Sequence, residues 1–406
     1  MQLIPKGEYM KEKNTNFDEI INRKDTDCLK FDFAKRRGKP EDVLPLWVAD
    51  MDFKTSSLVI DEINKRVEHG IFGYTETREA YFEAVSGWLF KHHNMKIQPN
   101  WLVKTPGVVF ALAMAVKAYT SKNDAVLIQQ PVYYPFTEVI EDNGRRVISN
   151  DLVLENGKYH IDFLDFENKI RENNIKLFLL CSPHNPVGRV WSYEELKKIA
   201  DICARYKVVV VSDEIHEDFT FEGHTHTPLL NVDERMKNLC ITATSPAKTF
   251  NLAGLQISNI IIPDSKLRHA FKKEIAKAGY SQLNTIGIVA CQAAYTYGEE
   301  WYEAVKKYLK ENLDFVRDYL KKEIPRVKLI EPEGTYLIWL DFKELGLSED
   351  ELENLIVNKA KLWLDGGAIF GETGKGFERI NIATSRGILK EALERIKLAV
   401  DEISDN

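Results

Sequence analysis

Four stretches of this chain are apolar without a polar alternate: KLFLLC at 176–181, KVVVVS at 207–212, NLCITA at 238–243 and SNIII at 258–262. Successive side chains of a strand point to opposite faces, so a strand apolar on both must be covered on both. Such strands belong to a mostly parallel sheet with helical crossovers. The intervening sequence agrees. Segments 78–92, 107–119, 133–143, 162–173 and 193–206 have helical periodicity, and AVLIQQ (125–130) and RVIS (146–149) add two more strands. The fold class expected is therefore α/β, with a large domain over residues 59–297.

Beyond residue 297 the pattern changes. A long Lys/Glu-rich helix at 299–323, with its charges on a solvated face, precedes two strand-like runs, VKLIEP and GTYLIWLDF. A helix near 349–359, a strand at ERINIA (378–383) and a closing helix at 387–403 follow, which predicts a smaller α+β domain over 298–406. Residues 1–58 are rich in turns and charges and show no core of their own. They are expected to pack on the smaller domain. Two domains suit a chain of 406 residues.

Charge and cysteine usage narrow the function. Lys plus Arg number 55 against 62 for Asp plus Glu, a net charge of −7, which favours neither nucleic acid nor an anionic membrane as partner. No apolar run reaches the roughly 18 residues of a membrane span, and the N-terminus lacks a signal-peptide core. Cys28, Cys181, Cys203, Cys240 and Cys291 form no C-x-x-C pair. Reduced thiols and a cytoplasmic location are the expectation.

Polar residues stand where the apolar runs stop. KLFLLC runs into SPHNPVG with Asn185, KVVVVS into DEIHEDF with Asp213 and His216, and NLCITA into TSPAKTFNLAGL with Ser245 and Lys248. Ligands of open α/β sheets collect beyond the carboxyl ends of the strands. A Thr-Pro-Gly turn opening a helix near Gly107 adds backbone N–H groups suited to a phosphate. One cofactor explains an amine, a carboxylate, an amide and a phosphate cradle on one rim: pyridoxal 5′-phosphate.

Together with Pro131-x-Tyr133, Ser182-Pro183-x-Asn185-Pro186-x-Gly188, Asp213-Glu214, Ser245-x-x-Lys248 and Arg379-x-Asn381, these residues make the chain resemble a fold-type I, class I/II aminotransferase-like pyridoxal-phosphate protein over nearly its full length. LPLWVADMDF (44–53), FGYTE (72–76), TPGVV (105–109), PVYYPF (131–136) and SDEIHEDF (212–219) resemble the cystathionine β-lyase (MalY/PatB-type) branch. The resemblance implies that Lys248 is the Schiff-base lysine and the proton shuttle at Cα. It implies that Asp213 pairs with the pyridinium nitrogen, Asn185 bonds the ring oxygen and Tyr133 stacks on the ring. Backbone amides of Val108 and Val109 would bind phosphate with Ser245 and with Tyr74 of a second subunit, hence a homodimer. Arg379 would clamp the substrate α-carboxylate. The activity implied is β-elimination from L-cystathionine or related cysteine S-conjugates. An aminotransferase, sharing every step up to Cα deprotonation, is the alternative, and a regulatory protein acting through a protein partner is the second.

Two positions depart from many relatives. Gln256 stands eight residues after the lysine, where an arginine often faces the phosphate, and His216 stands where aminotransferases often carry a tyrosine. Several residues have plainer readings. Asp213 can cap a helix, Asn185 can serve a turn, and Tyr134 is either a wall of the substrate pocket or core. His224 and His226 have no third ligand at metal spacing in the chain, so no metal is expected. Arg386 is expected in solvent.

Overall fold

The computed structural model describes residue 12 and residues 15–404. A seven-stranded sheet is built from β1 (Leu102–Thr105), β2 (Ala125–Ile128), β3 (Arg146–Ser149), β4 (Leu177–Cys181), β5 (Val209–Asp213), β6 (Cys240–Thr244) and β7 (Ser258–Ile261), in the spatial order β1-β7-β6-β5-β4-β2-β3. All neighbours pair in parallel except β7, which is antiparallel to both β6 and β1.

The unbroken apolar runs are explained by two cores, one on each face. Leu177, Leu179 and Cys181 of β4 enter one cluster with Val211, Ile241 and Ile260. Phe178 and Leu180 enter the other with Val210, Cys240 and Ile261. Both faces are thus dry. Burial is the condition that makes these runs apolar, and it holds for antiparallel β7 as for its parallel neighbours. Helices pack on each face and begin where the sequence offers caps. Ser192 and Glu195 close a reciprocal capping box at the start of Tyr193–Tyr206, and the Asp162 side chain accepts from the N–H groups of Leu164 and Asp165.

A second, antiparallel sheet comprises β8 (Lys328–Ile330), β9 (Leu337–Asp341), β10 (Asp365–Gly366) and β11 (Phe377–Asn381), ordered β8-β9-β11-β10. The helix Glu299–Glu323 packs one stripe inward, with Trp301, Val305, Leu309, Asn312, Val316 and Leu320 buried. Near 349–359 the expected single helix is a short α-helical turn, Glu349–Glu353, running into a wider π-type stretch, Asn354–Lys359. Three consecutive apolar residues, Leu355, Ile356 and Val357, are all buried there.

The N-terminal segment is bound to the second sheet by Asn381 N donating to Leu46 O (2.9 Å), and to the chain beside it by a small two-stranded sheet of its own. Leu44–Pro45 pairs in parallel with Leu362–Trp363. The Asn381 side chain donates to the carbonyls of Val48 (2.7 Å) and Asp50 (2.6 Å). Arg386 differs from its sequence reading. It is half-buried, its Nε donates to Asn312 Oδ1 (2.8 Å) and its guanidinium lies 4.8 Å from the Phe315 ring. The aliphatic stem and planar head of arginine allow such packing at a helix start.

Candidate active site

Sheet register places the site. Cys181 is opposite Asp213, and Asp213 is opposite Ala243, so β4, β5 and β6 end at one level. Their continuations deliver Asn185, Asp213 and Ser245-to-Lys248 to the same rim. Because β7 runs backwards, its first residue, Ser258, is opposite Thr105 of β1, while Asn259 is opposite Thr244. The turn after β1 and the turn after β6 are thereby brought to flank the start of β7.

Gly107 caps the helix Val108–Tyr119 without any side-chain hydrogen bond to its first turn. A helix start leaves its first N–H groups without intrahelical partners, and those of Val108 and Val109 are the ones that would face a phosphate. Ser245 is buried. Its hydroxyl donates to Ile257 O (2.6 Å) and accepts from Ala247 N (3.0 Å), fixing the turn that carries Lys248. Gln256 has a left-handed backbone (φ 50°) and is exposed.

Asp213 is buried, and its Oδ1 accepts from Ile215 N (3.1 Å). Among the described residues no cation lies within ion-pair distance of it. Burial pushes its carboxyl up to about 7, against the opposing pull of the Ile215 N–H and the Lys248 charge. A buried carboxylate without a counter-charge is costly, and a cation brought by a ligand would relieve it. Lys248 Nζ donates to Ala49 O (2.9 Å), which also accepts from the Tyr336 hydroxyl (3.0 Å). Burial lowers the Lys248 amine to about 8; Asp50 opposes the shift, Arg379 adds to it and Asp213 opposes it.

Arg379 is held from three sides. Nη1 donates to Asn185 Oδ1 (3.0 Å), Nη2 donates to Trp47 O (2.9 Å), and Nη2 also pairs with Asp365. Its Nε is buried with no partner among the described residues. One donor of an otherwise fixed guanidinium is therefore free for an incoming acceptor such as a carboxylate. His216 is buried with Nδ1 unpartnered and its ring edge-on to Tyr336 at 5.9 Å. Burial first, then the Lys248 and Arg379 charges, hold its imidazole well below the ordinary range, so it is neutral at pH 7.

Tyr133 N donates to Asn185 O (3.0 Å), and its ring lies 5.3 Å from that of Tyr134. Tyr134 is half-buried, packs against the hydrophobic core and also lines an open cleft with Asp365. Tyr74 stands apart from this cluster, 96% exposed. The donor set of the rim fits pyridoxal phosphate on its own chemistry, above all through an amine of lowered basicity and an unpaired buried carboxylate.

Trp47, Ala49, Tyr336 and Asp365 are the contacts that sequence reasoning missed. Trp47 and Ala49 lie in LPLWVADMDF, whose backbone carbonyls bond Arg379 and Lys248, but a carbonyl carries no side-chain signal. The His-x-His segment also differs from expectation. Folding sets Glu214 and Glu217 beside His226, and Glu217 and Asp218 beside His93, with donor atoms within 4.8 Å of one another. These buried groups are largely joined to each other. His93 Nε2 is 2.8 Å from Asp218 Oδ1, and His226 Nε2 is 3.0 Å from Glu214 Oε2. Burial pushes the Glu217 carboxyl up to about 8.

Comparison with known proteins agrees with this geometry. Residues 41–396 match the aminotransferase class I and II family. The chain is 41% identical over 385 residues to cystathionine beta-lyase PatB of Bacillus subtilis (strain 168), covering 95% of this chain and all of that one. It is similar to the crystal structure of cystalysin from Treponema denticola, which contains pyridoxal 5′-phosphate, at 38% identity and a TM-score of 0.92, with 95% and 99% coverage. It is also similar to a PLP-bound C-S lyase from Staphylococcus hominis, at 35% identity and a TM-score of 0.89, with 96% and 98% coverage.

The lowered basicity of Lys248 gives a pH dependence. A depressed pKa means the reactive neutral amine accumulates as pH rises through about 8. The rate at which apoprotein takes up pyridoxal phosphate should therefore rise up to that pH and then level off. A rate still climbing near pH 10, where an ordinary lysine titrates, would contradict the environment described.

Proposed function

The chain belongs to the aminotransferase class I and II family, and from that premise we propose that it is a pyridoxal-phosphate-dependent carbon–sulfur β-lyase acting on L-cystathionine or related cysteine S-conjugates. The observation that carries the chemistry is the unpaired, buried Asp213 on the same rim as Lys248 and the partly free guanidinium of Arg379. The names of the relatives, a cystathionine beta-lyase and a C-S lyase, support the choice of elimination over amino transfer.

When bound, pyridoxal phosphate supplies an aldehyde for an amine and a ring that accepts electrons from Cα. Lys248 and the amides of Val108 and Val109 would hold it at its two ends, Asp213 would keep its ring nitrogen protonated, and Asn185 and Tyr133 would fix the ring. Arg379 would take the substrate α-carboxylate. Because Asn185, Trp47 O and Asp365 already orient the guanidinium, little order has to be imposed on it when substrate arrives. Lys248 would remove the proton from Cα as a general base. The Cβ–S bond then breaks with its electron pair leaving on sulfur, and the same lysine returns the proton to the departing thiolate. With one water the products are pyruvate, ammonia and a thiol. His216, neutral and buried beside Lys248, supplies no charge to this transfer.

The purified holoenzyme is expected to form pyruvate and homocysteine from L-cystathionine at equal rates, with or without 2-oxoglutarate. Lys248→Ala should lose at least about 10³-fold in kcat, since a general base contributes some 10²–10⁴-fold and this one also holds the cofactor. Glutamate formed only with 2-oxoglutarate and without matching pyruvate would overturn the reading in favour of amino transfer.

The same reading extends to assembly and location. Ile71, Phe72 and Tyr74 form an exposed apolar run, 66%, 58% and 96% accessible, which suits burial against a second copy of the chain, where Tyr74 would reach the neighbour's phosphate site. All five cysteines are free thiols, four of them buried, which suits a cytoplasmic, reducing setting. Among the described residues no helix is long and apolar enough to cross a membrane. Sedimentation should find a dimer, and Tyr74→Ala should weaken retention of the cofactor. A fully active monomer would contradict the shared site.

A further inference from the structure

Behind Arg379 lies an open cleft of about 620 Å³, between the N-terminal segment, the edge of the second sheet and the helix Glu349–Glu353. That volume falls within the roughly 300–1,000 Å³ of small-molecule sites. Six carboxylates line it, those of Glu138, Glu349, Asp350, Glu353, Asp365 and Glu378, against two cations, Arg37 and Lys39. Most of these charges are already committed. Lys39 pairs with Glu353, Asp365 with Arg379, and Glu349 Oε1 accepts from Gly376 N (2.6 Å). Arg37 lies over the Trp47 ring at 5.3 Å.

Glu378 is the exception. It is 98% buried, its remaining surface belongs to the cleft, and among the described residues it has no hydrogen-bond or ion-pair partner. Burial above all, then the Glu353 and Asp365 charges, push its carboxyl well above the ordinary range, while Lys39 pulls the other way. As an anion, a carboxyl withdrawn from water with no hydrogen-bond partner is destabilising, and a cation brought into the cleft would let it ionise. A bare ion would leave the rest of the cleft without a purpose. Its walls are Trp363, stacked on Trp47 at 4.4 Å, with Leu352, Leu364, Ile369 and the Tyr134 ring. Glu138 and Asp350 stand exposed at the rim.

We propose that this cleft binds an aliphatic diamine, one ammonium on Glu378, the methylene chain along Trp363 and Leu352, and the second ammonium at the Glu138–Asp350 rim. An ammonium beside a tryptophan face gains a further cation–π attraction. Asp365 belongs to both places, lining the cleft while it holds Arg379, so an occupant has direct electrostatic reach to the arginine that would bind the substrate carboxylate. The inference does not depend on which reaction the enzyme carries out.

The test uses the pyridoxal-phosphate-loaded protein, titrated with cadaverine while tryptophan emission and the visible absorption of the cofactor are followed together, with pentanol as the uncharged control. The expected result is saturable quenching by cadaverine alone, with the cofactor band unmoved. Glu378→Gln, a neutral isostere, should weaken binding at least about tenfold, which is 1.4 kcal/mol. Ile369→Lys, at a position 48% exposed at the mouth, should do the same by placing a tethered cation in the cleft without disturbing the core. No saturable binding, equal affinity in the wild type and both variants, or a cofactor band that shifts with the same midpoint would each overturn the proposal, the last by showing that the amine had entered the Lys248 site.

Discussion

A carboxylate at the end of a strand that is dry on both faces is an energetic liability unless a positive charge meets it. Asp213 is in that position. β5 is flanked by β4 and β6, covered above and below, and its last residue carries the charge into the rim. The surrounding side chains do not neutralise it. The nearest cationic influence is Lys248, whose own amine is depressed by burial. A site holding a buried carboxyl and an amine of lowered basicity suits a guest that brings a cation to the first and an aldehyde to the neutral form of the second, as pyridoxal phosphate would.

The rest of the rim is arranged for rigidity. Arg379, Asn185, Trp47 and Asp365 form one connected set, and Ala49 O receives both Lys248 and Tyr336. The groups that would bind substrate and move its proton are thus tied to the same N-terminal segment, which is itself fastened to the second sheet through Asn381 and pairs with Leu362–Trp363 in a small sheet of its own. Preorganisation of this kind lets binding energy go to orienting the substrate rather than ordering the protein.

What could be read from sequence followed from local signals. The apolar runs at 176–181, 207–212 and 238–243 mark strands because burial on both faces leaves no room for polar alternates, and their exits mark Asn185, Asp213 and Lys248 for the same reason. The antiparallel sense of β7 was not legible, because a buried strand looks alike in either direction. Tyr336 was missed because its partner, Ala49, lies far away in the chain, and Asp365 because it meets Arg379 only through the antiparallel pairing of β10 with β11. Arg386 was misplaced because its cover, Asn312 and Phe315, comes from a helix some seventy residues earlier. The proximity of Glu214 and Glu217 to His226, and of His93 to Asp218, likewise arises only when the chain folds.

The central claim is that Asp213 awaits a cation on the cofactor ring. The most direct measurement is the equilibrium affinity of the apoprotein for pyridoxal phosphate, compared between the wild type and Asp213→Asn. Losing a buried charge-assisted contact of this kind costs about 1.5–3 kcal/mol, so binding by the variant should be weaker by roughly ten- to a hundredfold. Equal affinity in the two proteins would contradict the account, because it would mean that the buried carboxylate and the cofactor ring do not meet.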